Sequence, residues 1–329
     1  MSSTPLRVAI VGAGLMGRWH AAAAARAGGL VVAVVDADPG RAARLARRHR
    51  ARVTDLPQLL AGRAVDAVHV CTPLDTHAAV VAAVIDAGLP ALVEKPLARD
   101  PDETETLLRQ AEARRVVLCP VHQFPFQSGA RRLLATPSRL GTILHVDYVA
   151  CSAGGLGRDA QTLAAIVADI LPHPLSLLRR LLPRPLHALP WQTVRGGPGE
   201  FRASAQAGVT TIGLLVSMGG RPTRNTLRVL GTQATAHLDL FHGFATVEPG
   251  DVSRAGKIAR PFRHASATLA GAAWNLIGRT ARLEPAYPGL RELIREFYRA
   301  LRYGGRPPID GDEIRDVART RALLTGGRA

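Results

Sequence analysis

The feature that most constrains this chain is the run VAIVGAGLMGRWH over residues 8–20. A short apolar stretch, Leu6–Val11, enters a Gly12-x-Gly14-x-x-Gly17 turn and leaves it as an Ala-rich segment with helical character. That context is what a dinucleotide-binding fingerprint requires. Gly12 permits the tight turn, Gly14 lets the backbone approach a pyrophosphate, and Gly17 lets helix and strand pack closely. Ala13, Leu15 and Met16 complete the turn, and the helix start offers unpaired N–H groups to phosphate charge.

About 20 residues further on, Asp36 closes a second apolar run, VVAVV. A carboxylate there accepts hydrogen bonds from ribose hydroxyls and repels a 2′-phosphate, which favours NAD as cofactor. Arg41 and Arg44 stand near enough to partner a 2′-phosphate, so NADP stays open; on a solvated helix face they would have no such role.

Apolar runs and helical stretches alternate through the first 120 residues. Strands are expected at Leu6–Val11, Leu30–Val35, from Val53, Ala67–Val70, Ala91–Val93 and Val116–Leu118. Helices are expected at Met16–Ala27, Arg41–His49, Leu56–Leu60, Thr76–Ala87 and Asp102–Ala113. This alternation predicts an α/β Rossmann domain, a doubly wound parallel sheet with helices on both faces. After Cys119-Pro120 the rhythm changes. A helix beginning at Arg131–Leu134, a mainly helical Leu163–Leu182, and strands at Thr142–Cys151, His187–Arg195, Phe201–Ala207, Thr210–Met218, Thr226–Leu230 and Ala234–Leu240 predict an α+β domain on a largely antiparallel open sheet. Pro249–Pro288 reads as a basic loop around a helical Ala265–Leu276, followed by helices at Leu290–Arg302 and Gly311–Leu324. The expected domains are 1–122, binding NAD(P), and 123–329, for substrate and oligomerisation, with the C-terminal helices candidates to pack back on the first.

The net charge of +16 invites a nucleic-acid reading. Only Lys95 and Lys257 are lysines, the arginines are scattered along helices, and no helix-turn-helix, zinc-finger or RNP motif accompanies them. No nucleic-acid partner is expected, while an anionic small substrate is compatible. Cys71, Cys119 and Cys151 lack ligand or disulfide spacing, which suits a reducing compartment and no metal. The polar leader runs directly into the first strand, and no uncharged apolar run reaches membrane-spanning length, so a cytoplasmic protein without a span is expected.

Two further groups sit where strands end. Cys71-Thr72-Pro73, with His77 four residues later, follows the fourth strand, at the edge where open α/β sheets hold ligands. Pro73 fixes the turn, Thr72 can face the nicotinamide side, and His77 also fits a helix-start packing role. Glu94-Lys95-Pro96 follows the fifth strand. An ammonium at Lys95 could hydrogen-bond a substrate hydroxyl and favour its deprotonation; an exposed loop lysine would also explain it.

In this order the landmarks resemble the glucose–fructose oxidoreductase / inositol dehydrogenase / MocA family. The similarity runs from the glycine turn through Asp36, Val65-Asp66-Ala67-Val68, Thr72-Pro73, His77 and Ala87-Gly88 to Glu94-Lys95-Pro96-Leu97. It implies an open antiparallel C-terminal sheet whose outer face often joins subunits, hence a homo-oligomer, dimer or tetramer. It also implies an Asp and a His four residues apart on a helix, which Asp169 and His173 supply. By this resemblance His173 takes the hydroxyl proton, Asp169 binds a neighbouring hydroxyl or orients the base, and Lys95 lowers the hydroxyl pKa. The chain departs from the pattern at Leu171, where the family has Gly, at Pro172, expected to disturb the helix, and at Ser176, often Asp. His122-Gln123-Phe124 replaces an Asn-Arg-Phe run, so His122 and Gln123 are candidate substrate-binding residues.

The implied activity is NAD(P)-dependent interconversion of a secondary alcohol and a ketone on a sugar, cyclitol or sugar derivative. The alternatives are reduction of a non-sugar carbonyl or imine, and a non-catalytic dinucleotide-binding sensor or scaffold. The basic 249–288 region has a third reading, a surface meeting anionic lipid or a carrier-linked substrate.

Overall fold

The computed structural model describes residues 4–326 apart from 63, 251 and 252; residues 1–3 of the polar leader therefore lie outside it. It divides into two compact units, Met1–His122 with Leu290–Arg319, and Gln123–Gly289 with Thr320–Ala329.

In the first unit the chain runs β1 (Leu6–Val11), α1 (Leu15–Arg26), β2 (Gly29–Val35), α2 (Pro39–His49), β3 (Arg52–Val53), α3 (Leu56–Ala61), β4 (Ala67–Val70), α4 (Leu74–Asp86), β5 (Ala91–Val93), α5 (Pro101–Arg114) and β6 (Leu118–Pro120). The six strands form one parallel sheet in the order β3-β2-β1-β4-β5-β6. Strand order reverses between β1 and β4, which opens a crevice at their carboxyl ends. Burial on both faces explains why Val8, Ala9, Ile10, Val68 and Val93 form unbroken apolar runs. The last strand begins two residues later than expected. Arg115 takes a left-handed conformation that ends α5, and the Val116 N–H bonds back to the Ala111 carbonyl, so these residues close the helix.

The second unit contributes α6 (Ser128–Ala135), β7 (Ile143–Cys151), α7 (Ala160–Ile170), α8 (Pro172–Leu181), β8 (Gln192–Arg195), β9 (Glu200–Ala207), β10 (Thr210–Ser217), β11 (Arg224–Gly231), β12 (Ala234–Asp239), β13 (Phe244–Pro249) and α9 (Arg254–Ala281). Its seven strands are ordered β13-β12-β11-β7-β10-β9-β8, antiparallel except for β7 beside β10. Alternation sets the faces: Val146, Tyr148, Ile212, Leu214, Leu227 and Val229 are buried, while His145, Asp147 and Gly213 stand on the other, more open face.

Three expectations in this unit need correction. His187–Arg195 is not one strand: a single tight turn, Leu186–Ala188, precedes β8, and the Trp191 indole donates to the Leu186 carbonyl. Pro249–Pro288 is mostly the 28-residue helix α9 rather than a loop, begun by Ser253, whose hydroxyl accepts from the Gly256 N–H. Pro261 lies inside it. The strand β13 before it was not anticipated; it pairs with β12 through a turn at Gly243, whose φ is +89°.

The helical stretch Leu163–Leu182 is two helices, α7 and α8, joined at Leu171, whose φ of −57° and ψ of −37° stay helical. Pro172 therefore starts α8 where its missing N–H costs least, without a sharp bend. The carbonyl it leaves unserved is that of Ala168, four residues back, and the buried Arg321 guanidinium donates to it at 3.3 Å. The segment Ala160–Leu181 is long and apolar enough to cross a bilayer by length and mean hydropathy alone, but it carries Asp169 and is more than half buried within the fold. That burial is what core helices of a folded domain show.

Two final helices, α10 (Leu290–Tyr303) and α11 (Gly311–Thr325), complete the chain. In the first unit α10 packs on α1, burying Leu293, Ile294 and Phe297, and Arg291 and Arg302 donate to the carbonyls of Arg26, at the end of that helix, and Gly28, just past it. Replacing Arg321 by Met removes the donor to Ala168 and should lower stability by about 1–3 kcal/mol in urea melts. Pro172→Ala restores an intrahelical donor, so the loss should be smaller in that background; equal losses would remove the Ala168 contact as the cause.

Candidate active site

Gly12 is held by backbone on every side. Its N–H donates to the Val35 carbonyl at 2.8 Å, and its φ of +97° suits glycine alone. A Cβ here would lie 2.5 Å from the Cys71 carbonyl oxygen, so the turn presses directly on the end of β4. A Cβ at Gly17 would strike the Gly12 carbonyl. Gly14 is the opposite case: a Cβ there would meet nothing within 4 Å. It also starts α1 with no side-chain cap and no acidic residue in the first turn, leaving the helix N–H groups for an anion.

Asp36 binds the turn as well as facing the crevice. One carboxylate oxygen accepts from the Ala13 N–H at 2.5 Å and the other from the Asp38 N–H at 2.7 Å. Each oxygen keeps a lone pair for a ribose hydroxyl. Beyond it, Arg18, Arg41, Arg44 and Arg48 surround a recess of about 380 Å³ floored by Ala13, Gly14 and Leu15. Arg41 also pairs with Asp38 at 3.1 Å. Hydrogen bonds from the Arg41 and Gly40 backbone, with the Arg41 and Arg44 charges, hold the Asp38 carboxyl below its usual range.

At the neighbouring strand ends, His77 is 1% exposed. Its two ring nitrogens meet the Thr72 and Pro96 carbonyls, each at 2.9 Å, and so tie the β4 and β5 loops together across the cis Lys95–Pro96 peptide. A ring enclosed in this way positions loops; it offers no free nitrogen to a ligand. The Thr72 hydroxyl is shielded and has no hydrogen-bond partner among the described residues. An open Gly14, an uncapped helix start and an unsatisfied Thr72 hydroxyl together fit a nicotinamide dinucleotide. Burial, with Glu94 adding to it, pushes the Cys71 thiol well up, so it is a neutral neighbour.

Lys95 is half-buried at the end of β5. Glu94 beside it belongs to a buried chain of hydrogen bonds that sequence reasoning missed. Its carboxylate accepts from the Lys95 N–H and faces His20 Nε2 at 2.9 Å; His20 Nδ1 faces His69 Nδ1 at 3.0 Å, and His69 Nε2 faces the Tyr298 hydroxyl at 2.9 Å. The order of donors follows from Glu94, which only accepts. His20 donates to it through Nε2, His69 donates to His20, and Tyr298 donates to His69. Run the other way, the Tyr298 proton would have no acceptor among the described residues. Burial keeps His69 well below its usual pKa and pushes the Tyr298 hydroxyl up. Burial raises the pKa of the Glu94 carboxyl, yet the hydrogen bond from His20 and the Lys95 charge bring it below its usual value.

One signal for this relay was present: His69 interrupts an otherwise apolar buried strand, and a buried polar group needs a partner. Tyr298, far along the chain, gave none. Arg41, Arg44 and Arg48 lie at helical spacing on one face of α2, a pattern that also points to the recess.

In the second unit, Asp169 is exposed near the end of α7 and His173 half-buried at the start of α8. The His173 ring stacks on Phe124 with centroids 4.8 Å apart. Ser176 is fully buried. His122, in the first unit, and Gln123, which begins the second, are both buried, and the Gln123 carbonyl accepts from the Phe126 N–H.

The first unit thus has the turn, the acidic strand end and the crevice of a dinucleotide-binding domain. Residues 6–122 match the family described as an oxidoreductase family with an NAD-binding Rossmann fold. That match bears out, over these residues, the resemblance to the glucose–fructose oxidoreductase / inositol dehydrogenase / MocA family. It is 37% identical over 117 residues to a UDP-N-acetylglucosamine 3-dehydrogenase of Acidithiobacillus ferrooxidans, covering 36% of this chain and 37% of that one. It is 35% identical over 176 residues to the myo-inositol dehydrogenase Hyg17 of Streptomyces leeuwenhoekii, covering 53% and 50%. The matches therefore span half or less of these relatives' lengths. A solved levoglucosan dehydrogenase, in complex with NADH and levoglucosan, shares the fold over 98% of this chain and 97% of its own, with a TM-score of 0.76 at 17% identity.

Two outcomes are expected. Gly14→Val should weaken NAD binding at least about tenfold, a loss of about 1.4 kcal/mol, without lowering the melting temperature, whereas Gly17→Ala should destabilise the fold itself. Calorimetric binding and thermal melts separate them. For Glu94, a folded pKa below its ordinary value of 4.5 means its stabilisation is fully present above that pH and is lost as pH falls toward the folded value. Urea midpoints between about pH 3 and 6 should fall less steeply in Glu94→Gln than in the wild type.

Proposed function

We propose that the protein is an NAD-dependent dehydrogenase that interconverts a secondary alcohol and a ketone on a sugar, cyclitol or sugar derivative. The observation that carries this reading is Lys95. It stands at the carboxyl end of β5, directly after the Glu94 that the buried relay fixes, in the same unit as the open Gly14 turn. The relatives matched over this unit are dehydrogenases of a nucleotide sugar and of an inositol, which supports a polyhydroxylated substrate.

When bound, NAD supplies the hydride acceptor. Gly12, Gly14 and Gly17 shape the pyrophosphate turn, with Ala13, Leu15 and Met16 completing it. Asp36 takes the ribose hydroxyls, which favours NAD over NADP, while the four arginines of the recess attract the anionic end of the cofactor. The Thr72 hydroxyl, between Cys71 and Pro73, is available to the nicotinamide side, and His77 and Glu94 position its loops. Lys95 donates a hydrogen bond to the reacting hydroxyl and makes loss of its proton easier. His173 accepts that proton, Asp169 binds a neighbouring hydroxyl, and His122 and Gln123 contribute to substrate choice. The Phe124 ring stacked on His173 limits its rotation, which suits a group that must meet one proton. The open face of the seven-stranded sheet is the surface by which we expect copies to associate, and three free cysteines suit a reducing cytoplasm.

The test is turnover of NAD with a panel of cyclitols, pyranoses and nucleotide-linked sugars, read as reduced-nicotinamide absorbance. Lys95→Ala should lower kcat by roughly 10²–10⁴-fold and leave NAD affinity unchanged. A wild-type protein that binds NAD yet turns over no polyol, and reduces no corresponding ketone, would be a sensor and not this enzyme.

A further inference from the structure

We propose that His237, Glu248 and His264 form a binding site for a divalent transition-metal ion with the ligand preferences of zinc, which fastens α9 to the edge of the second sheet. The site lies outside the dinucleotide-binding unit and does not depend on the reading of the active site.

Three elements bring these residues together. His237 is on β12 and Glu248 on β13, where Glu248 pairs with Thr235 and His237 with Thr246. The two residues are thus diagonal neighbours on one face of the ladder. His264 comes from α9, which packs on β13. One ligand atom from each residue lies within 4.8 Å of the other two. His237 Nε2 is 3.5 Å from Glu248 Oε1, near the edge of about 3.3 Å between ligands of a tetrahedral ion with bonds of about 2.0 Å. His264 Nδ1 is in contact with the same oxygen.

The hydrogen bonding of these atoms also favours an ion. His237 Nε2 and His264 Nδ1 are both shielded from solvent, and neither makes a well-directed hydrogen bond. Two such nitrogens turned toward one carboxylate oxygen form a donor set that an ion completes. The other oxygen, Oε2, accepts from Arg260 Nε at 3.1 Å, and a ligating carboxylate is commonly held in this way by an outer partner.

The surroundings select the metal. Lys257, Arg260 and Arg263 line the same recess of about 410 Å³. Magnesium and calcium need several oxygen ligands and a surplus of negative charge, which this recess does not offer. Two imidazoles and one carboxylate suit zinc, cobalt or nickel. With cationic side chains lining the recess, water or a small anion would complete the set.

Zinc binding to the full chain, measured by equilibrium dialysis, and the visible spectrum of a cobalt titration test this. The expected result is one ion per chain, a tetrahedral cobalt spectrum, and a melting temperature that rises with zinc concentration. His237→Ala and Glu248→Gln should each weaken binding at least about tenfold and abolish the thermal shift while leaving NAD affinity intact. Glu248→Gln nearly preserves side-chain size and so stands in if His237→Ala does not fold. Failure of the wild type to bind zinc stoichiometrically, or unchanged binding in both variants, overturns the proposal.

Discussion

The arrangement of the first unit depends on the buried chain from Tyr298 through His69 and His20 to Glu94. It joins four elements remote in sequence, α10, β4, α1 and the end of β5, by three side-chain contacts of 2.9 to 3.0 Å. Each link fixes the next because the donors have one consistent direction. An imidazole can donate at one nitrogen and accept at the other, so two histidines in series carry that direction from a hydroxyl to a carboxylate. The carboxylate then accepts the backbone N–H of Lys95. The backbone at the candidate catalytic lysine is therefore set by a tyrosine some two hundred residues later in the chain. Burial raises the cost of breaking any link, since each freed polar atom would have no water to turn to.

Much of the first unit was legible because its signals are local. Strand periods and the glycine spacing are both set within a few residues of where they act. The second unit was less legible at its irregular places. The basic stretch 249–288 suggested a loop, yet most of it is a helix of 28 residues that bears Pro261 inside it. Pro172 suggested a disturbed helix, yet the backbone stays helical through Leu171, and Arg321 serves the carbonyl that the proline leaves open. That compensation could not be read near the proline. Asp36 was legible as an acid at a strand end, but its second task, bracing Ala13 and Asp38, appears only when the turn is folded back upon it.

The excess of basic residues also reads differently once the chain is folded. As a sequence total it suggested scattered, solvated charge. In the structure, part of it is gathered at the start of α1 and along α2, where four arginines face one recess. Another part stabilises helix ends, as Arg291 and Arg302 do after α1. Arg321 is buried and replaces a missing backbone donor. One residue type thus performs three physical tasks, which net charge cannot distinguish.

The relatives agree with this chain in sequence mainly over the dinucleotide-binding segment, while the fold is shared over nearly the whole length at 17% identity. The packing explains that contrast. Gly12 and Gly17 are pressed against backbone atoms, so any side chain there collides with something that cannot move aside. Asp36 must offer two oxygens to two N–H groups at fixed positions. Such contacts accept one residue type, and they recur wherever the turn is used. The seven-stranded sheet is held by alternating apolar side chains such as Val146, Ile212 and Val229, which many residues of similar size could replace. Its fold can persist while its sequence drifts. The constraint on the dinucleotide turn is therefore written in backbone contacts, and that on the second sheet in side-chain volume and polarity, which more than one residue type can meet.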